Sequence, residues 1–304
     1  MIYTLAQISP KLGDFKENFS QIKRACEDAF SQSSDLIIFP ELALTGYPPK
    51  DLLFSTTFLQ AVEGTLQKLL VLSCECQDLG ILVGLPLRKT MGGDSRLYNT
   101  AVLILNGEIV CEHHKRLLPN YDVFDELRYF SPGDNVTMIT FKGDKIGLTI
   151  CEDIWDPNPS AQAALFGAKL LININSSPFH IGKQDERYDL VRKRAKDLGL
   201  SIIYVNQVGG QDELVFDGGS FAVDDRGEIT AAAENFEEEL TWIKVDSSAS
   251  KLCFMRSELP KPVSELESIW KALVLGLRDY VRKNGFPSVI LGLSGGVDSA
   301  LTLS

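Results

Sequence analysis

The stretch Gly147-Leu-Thr-Ile-Cys-Glu-Asp-Ile-Trp155 sets an apolar run against a thiol and two carboxylates. A run of this length and composition, bounded by turn residues, reads as a strand buried on both faces. Cys151 then stands at the strand's end, where side chains of α/β sheets become accessible to ligands. A lone buried cysteine is more often a small core hydrophobe than a reactive group. Glu152 and Asp153 argue the other way, because two carboxylates beside the thiol would be costly inside a core.

The same pattern recurs on both sides. Apolar runs at residues 2–8, 36–39, 81–85, 101–105, 146–150, 170–174 and 202–205 read as strands, and Asn106-Gly107 and Asp225-Arg226-Gly227 as hairpin turns. Asp14 with Glu17 makes a helix cap, after which Phe15, Phe19, Ile22, Cys26 and Ala29 recur at helical spacing. Similar amphipathic segments cover 58–76, 160–167 and 186–198. Together they predict a layered α/β domain with mixed sheet content over residues 1–246. Residues 247–263, rich in Ser and Pro, read as a linker. Ser264 with Glu267 caps a new helix running to about Asn284. Residues 287–293 read as a strand leading into Ser294-Gly-Gly-Val-Asp-Ser299. A strand, a glycine turn and an unfinished helix cannot make a core, so 264–304 reads as the truncated start of a second domain.

Composition narrows the partners. The 304 residues are 44% hydrophobic and carry 41 acidic against 30 basic side chains, a net charge of -11 with no sustained basic block. That disfavours nucleic acid and anionic membranes as partners. The N-terminus lacks the features of a leader, and no apolar run approaches membrane-spanning length, so a cytoplasmic protein is expected. Six scattered cysteines fit free thiols, and three histidines, His113, His114 and His180, are too few for a multi-histidine metal site. No metal ligands are assigned.

Two further segments end apolar runs with charges: Phe39-Pro-Glu41-Leu-Ala-Leu-Thr-Gly-Tyr47 and Glu112-His-His-Lys115-Arg-Leu-Leu-Pro-Asn-Tyr121. Alone, Glu41 would be a solvated strand end and Lys115 a surface cation. With Cys-Glu-Asp they fall in the order, and with the flanks, of a known set: the chain resembles the nitrilase family of carbon–nitrogen hydrolases. That resemblance implies an α-β-β-α sandwich and a Glu41, Lys115, Cys151 triad. The chemistry suits these residue types. A thiol of pKa about 8.5 must lose its proton to attack an amide carbonyl, which calls for a neighbouring base. Glu41 would be that base, then the acid for departing ammonia. Lys115 would stabilise the oxyanion together with a backbone amide near Cys151. Glu126 matches the family's second glutamate, which would orient Lys115; a plain surface acid is the alternative.

Tyr121 and Ser176-Ser177-Pro-Phe-His-Ile-Gly-Lys183 match the glutamine-binding segments of glutaminase domains in that family. By resemblance Tyr121, Ser177 and Lys183 would hold glutamine, Lys183 at its α-carboxylate, with Glu152 at its α-ammonium. Lys183 also stands in a charged run with Glu186 and Arg187, so a solvated loop charge is the competing reading. Gly292, Leu293, Ser294, Gly295, Gly296, Val297, Asp298 and Ser299 resemble the loop of N-type ATP pyrophosphatases, whose backbone amides cradle pyrophosphate. A nitrilase-type domain followed by such a loop is similar to the glutamine-dependent NAD(+) synthetase family. The resemblance implies glutamine hydrolysis through a cysteine thioester, ammonia passing through a tunnel, and amidation of nicotinic acid adenine dinucleotide (deamido-NAD). ATP and Mg2+ would serve the whole synthetase, with no cofactor for the glutaminase half, the only half these residues would retain. Copies are expected to pair as a homo-oligomer through helical faces. A stand-alone amidase acting on another small amide is the alternative, and the ATP loop argues against it.

Overall fold

The computed structural model describes residues 1–91, 94–246 and 252–304. The chain begins with β1 (Ile2–Gln7), α1 (Phe15–Ser31), β2 (Leu36–Ile38), α2 (Thr56–Glu75), β3 (Gly80–Met91), β4 (Asp94–Leu105) and β5 (Glu108–His114). Next come β6 (Thr137–Phe141), β7 (Asp144–Ile150), α3 (Pro157–Leu165), β8 (Leu170–Asn175), α4 (Lys183–Leu198) and β9 (Ser201–Asn206). The remaining elements are β10 (Val208–Gln211), β11 (Leu214–Asp217), β12 (Phe221–Val223), β13 (Ile229–Ala232), β14 (Glu239–Asp246), β15 (Cys253–Phe254), α5 (Glu265–Lys283) and α6 (Val297–Leu303). One sheet has the order β15-β14-β1-β2-β3-β4-β5, a second β13-β12-β9-β8-β7-β6, and β10 pairs with β11 alone. Each large sheet has a parallel centre, β1-β2-β3 or β7-β8-β9, flanked by antiparallel strands.

Period-two alternation sends each strand's side chains alternately to a core between the sheets and to a core on its own sheet's outer side. Tyr3, Leu5, Leu36, Ile38, Leu82 and Leu103 of the first sheet face Ile146, Leu148, Ile150, Leu170, Ile172 and Ile174 of the second. On the outer side of the first sheet, Ile37, Ile81 and Val83 pack with Ile22 and Cys26 of α1 and Val62 and Leu69 of α2. Leu171, Ile202 and Tyr204 on the outer side of the second meet Ala163 of α3 and Val191 and Ala195 of α4. The result is the expected α-β-β-α sandwich, its central strands apolar on both faces.

Local chemistry follows the sequence at several joints. The Asp14 side chain accepts the Glu17 amide at 3.1 Å, and the Ser264 hydroxyl that of Glu267 at 3.3 Å, opening α1 and α5. Asn106 at φ 50° and Gly107 at φ 84° form the tight left-handed turn between β4 and β5. All six cysteines are free, and no described helix is long and apolar enough to cross a membrane.

Elsewhere the structure departs from the expectation. Helices α3 and α4 each begin three residues early: the Asp156 side chain caps the Asn158 amide with Pro157 in the first turn, and α4 opens on the charged Lys183-Gln-Asp-Glu. Of the expected linker, 247–251 lie outside the described residues, while Cys253–Phe254 pairs with β14 and buries Leu252 and Phe254 in the inter-sheet core. The strand expected over 287–293 is not formed. Its residues are exposed, Ile290 to 99%, and no described strand lies beside it to satisfy its backbone groups. Helix α5 docks on β10 instead, where the Gly210 amide donates to Asp279 Oδ2 at 2.8 Å.

Candidate active site

The three triad segments leave the ends of β2 and β5, with β3 and β4 between them in one sheet, and of β7 in the other. Beyond β2, the chain carrying Glu41 crosses β3 at Gly84. A Cβ there would come within 2.4 Å of the Leu42 nitrogen and 2.5 Å of the Pro40 oxygen, so only glycine allows the crossing. Lys115 follows β5, its amide held by the Asn99 carbonyl at 2.8 Å. Cys151 follows β7 at φ 45°, a left-handed conformation uncommon for a side-chain-bearing residue, and opens the 3-10 turn Cys151–Ile154. Glu126 opens a similar turn, Glu126–Arg128.

Glu41, Lys115 and Glu126 form one buried network. Lys115 Nζ donates to Glu41 Oε1 at 2.7 Å and to Glu126 Oε1 at 2.9 Å, with Glu41 and the lysine side chain fully enclosed. Asn99 Nδ2 donates to Glu41 Oε1 at 2.7 Å, and the Ser176 amide to Glu41 Oε2 at 2.9 Å. The Tyr47 hydroxyl donates to Glu126 Oε1 at 2.9 Å, while Glu126 Oε2 is buried without a hydrogen-bond partner.

Burial opposes the Lys115 charge, yet Glu126 and Glu41 outweigh it, and the ammonium's pKa lies well above that of a free lysine. For Glu126, burial wins over the pull of Lys115 and pushes the carboxyl up to about 7. Burial and then the Glu41 charge hold the Cys151 thiol well above its ordinary pKa, with Lys115 pulling the other way. The resting sulfur is therefore protonated, and a base must take its proton as it attacks.

The residues matched to glutamine binding divide into separate contacts. The Tyr121 hydroxyl donates to Glu152 Oε2 at 2.9 Å beside Cys151, with Tyr121 52% exposed. Lys183 Nζ lies 4.1 Å from the ring centroid of Trp155, the residue closing the Cys151 turn, and 3.3 Å from Glu186 Oε2. Ser177 is buried, its hydroxyl accepting from Arg187 Nε at 3.2 Å. Neither Ser177 nor Lys183 bonds to the Tyr121–Glu152 pair. Arg187, read with a solvated charged run, is instead wholly buried against Asp217 at 2.8 Å and also holds the Ser177 and Pro178 carbonyls.

Asn99, Tyr47 and Ser176 escaped the sequence reading. The available signal was an amide inside an apolar strand and a phenol six residues beyond Glu41. The loop 292–299 is exposed; Ser294 Oγ lies 3.0 Å from Ser299 Oγ and accepts the Gly296 amide at 3.3 Å, just before α6.

A two-sheet sandwich with a buried Glu–Lys pair beside a strand-end cysteine defines a class. The chain belongs to the carbon–nitrogen hydrolase family, whose model matches residues 3–252. A second model, NAD synthase, matches residues 269–303. The chain is 40% identical over 331 residues to the glutamine-dependent NAD(+) synthetase of Thermotoga maritima, covering 98% of this chain and 56% of that protein. It is 42% identical over 311 residues to that of Synechocystis sp., covering 98% and 55%. The solved glutamine-dependent NAD+ synthetase from Acinetobacter baumannii in complex with ADP superposes at a TM-score of 0.92 with 39% identity, covering 99% of this chain and 56% of that one. An amidase from Nesterenkonia sp. AN1 shares the fold at a TM-score of 0.72 and 23% identity, covering 81% of this chain and 94% of that one. The chain spans about half the length of the curated relatives it matches.

Proposed function

We propose that this chain is the glutamine-hydrolysing part of a glutamine-dependent NAD(+) synthetase acting in the cytoplasm. As sulfur attacks the amide carbon of glutamine, the Cys151 proton passes to Glu41. Lys115 neutralises the developing oxyanion, and Glu41 returns the proton to the departing ammonia. Water, deprotonated by Glu41, then attacks the thioester carbon, the carbon–sulfur bond breaks to release glutamate, and Glu41 returns the proton to the Cys151 sulfur. Glu126 and Tyr47 hold Lys115 in place. Tyr121, Ser177 and Lys183 hold the glutamine, Lys183 at its α-carboxylate, with Glu152 at its α-ammonium.

What carries the reading is the coincidence, in one chain, of the buried Glu41–Lys115–Glu126 network beside Cys151 with the NAD synthase match at 269–303. That match also favours it over a stand-alone amidase. Residues 292–299 suit the phosphates of ATP: a Cβ added at Gly292 or Gly295 meets nothing within 4 Å, leaving the backbone open to close approach. Ser294, Gly295, Gly296, Asp298 and Ser299 would hold them. When bound, ATP with Mg2+ supplies the adenylyl group that activates deamido-NAD for amidation by the released ammonia. Copies pair through the outer helical layer, where Leu165 and Phe166 at the end of α3 are 84% and 60% exposed.

The test is ammonia release from glutamine, asparagine and a simple aliphatic amide by the wild-type chain and Cys151→Ala. Release from glutamine alone, abolished in the variant, is expected. Turnover of the aliphatic amide in preference to glutamine would replace this reading with the stand-alone amidase.

A further inference from the structure

Lys115 and Cys151 come from different sheets: β5 edges the seven-stranded sheet, and β7 lies inside the six-stranded one. No backbone ladder joins these two strands, so their relative position depends on side chains. Packed apolar faces resist separation, but their contacts are not directional and set sliding only loosely. Catalysis needs the thiol and the ammonium placed within about half an ångström of the productive geometry.

We infer that Asp153 is the positioning residue that sets Cys151 against Lys115 across the two sheets. This rests on the reading of Cys151 and Lys115 as reacting groups. Asp153 has no exposed surface, and a carboxylate so placed is tolerated only if its lone pairs are used. Oδ1 accepts the backbone amides of Arg116 at 3.1 Å and Leu117 at 2.9 Å. Oδ2 accepts the Ile150 amide at 3.0 Å and lies 3.4 Å from His113 Nε2. His113, Arg116 and Leu117 bracket Lys115, and Ile150 immediately precedes Cys151. One side chain thus ties the end of β5 to the end of β7. His113 extends the tie to β6, its Nδ1 lying 3.1 Å from Thr137 Oγ1.

The Ile150 bond also closes the turn that holds Cys151 at φ 45°. Only a carboxylate serves here. An asparagine of the same shape would turn its amide hydrogens either toward the Arg116 and Leu117 amides, making the cross-sheet link repulsive, or toward the Ile150 amide, breaking the bond that closes the Cys151 turn.

The experiment compares wild type, Cys151→Ala, Asp153→Asn and Leu171→Ala, the last removing core volume under α3 and α4 without touching the triad. Glutaminase kcat and KM are measured below each variant's unfolding transition. For Asp153→Asn, kcat is expected to fall about 100-fold with KM changed less than about threefold, as for misplaced reacting groups. Leu171→Ala loses stability and keeps its kcat. Should Asp153→Asn fail to fold, His113→Gln, which spares the backbone donors, is expected to lower kcat about tenfold with the same KM. A folded Asp153→Asn chain with wild-type kcat, or with KM alone raised, overturns the positioning role. Ammonia release that survives Cys151→Ala overturns the underlying reading instead.

Discussion

Glu126 gives the sharpest prediction, because its two oxygens are so unequally served. Oε1 accepts from Lys115 and Tyr47, while Oε2 is buried with no partner, and burial pushes the carboxyl from 4.5 up to about 7. A group whose pKa is raised by folding favours the folded state at low pH. That contribution is fully present below the unfolded pKa and disappears as pH rises through the folded one. With the two values above, the linkage relation gives a loss of about 2 kcal/mol between about pH 5.5 and about pH 8.5. Glu126→Gln keeps an oxygen for Lys115 and Tyr47 but cannot ionise, so its stability should lack this component. Urea unfolding of both proteins at the two pH values measures it. Wild type should lose about 2 kcal/mol more than the variant over that interval. Parallel losses would refute the claim that Glu126 ionises at a cost inside the folded chain.

Three other perturbations follow from the same geometry. Gly84→Ala drives a methyl into the Pro40–Leu42 crossing, so glutaminase kcat should fall at least about 100-fold while circular dichroism shows the fold retained. Asn99→Ala deprives the buried Glu41 of a 2.7 Å charged hydrogen bond, which should cost about 1.5–3 kcal/mol in kcat/KM, roughly ten- to a hundredfold. Arg187→Met leaves Asp217 buried and unpaired. Denaturant titration should show a loss of about 3–5 kcal/mol, against near-wild-type stability if the pair contributed nothing.

Legibility tracked burial. Strands β2, β7, β8 and β9 are covered on both faces and show as continuous apolar runs. β15 is two residues long, β5 alternates polar and apolar residues, and the outer halves of β3 and β4 project beyond the core; none of these leaves a comparable trace. Residues 287–293 failed in the opposite sense: the local pattern is that of a strand, but a strand exists only through a neighbour. At the candidate site, Glu41, Lys115 and Cys151 stood out because three specific strings occur together, and the fold brings Glu41 and Lys115 into contact. Asn99, Ser176, Asp153 and Arg187 were not, since their work is defined by partners far away in sequence. Arg187, in particular, sits in a run of charges and points inward, which no local pattern discloses.

The most direct test of Cys151 as a nucleophile activated by Glu41 is to trap its adduct. The wild-type chain is mixed with glutamine, quenched in acid within the first turnovers, digested and weighed by mass spectrometry. The peptide bearing Cys151 is predicted to gain the mass of one γ-glutamyl group, and that gain is predicted to vanish in Glu41→Gln. Ammonia release without any adduct on Cys151, or an adduct on another residue, would contradict the account.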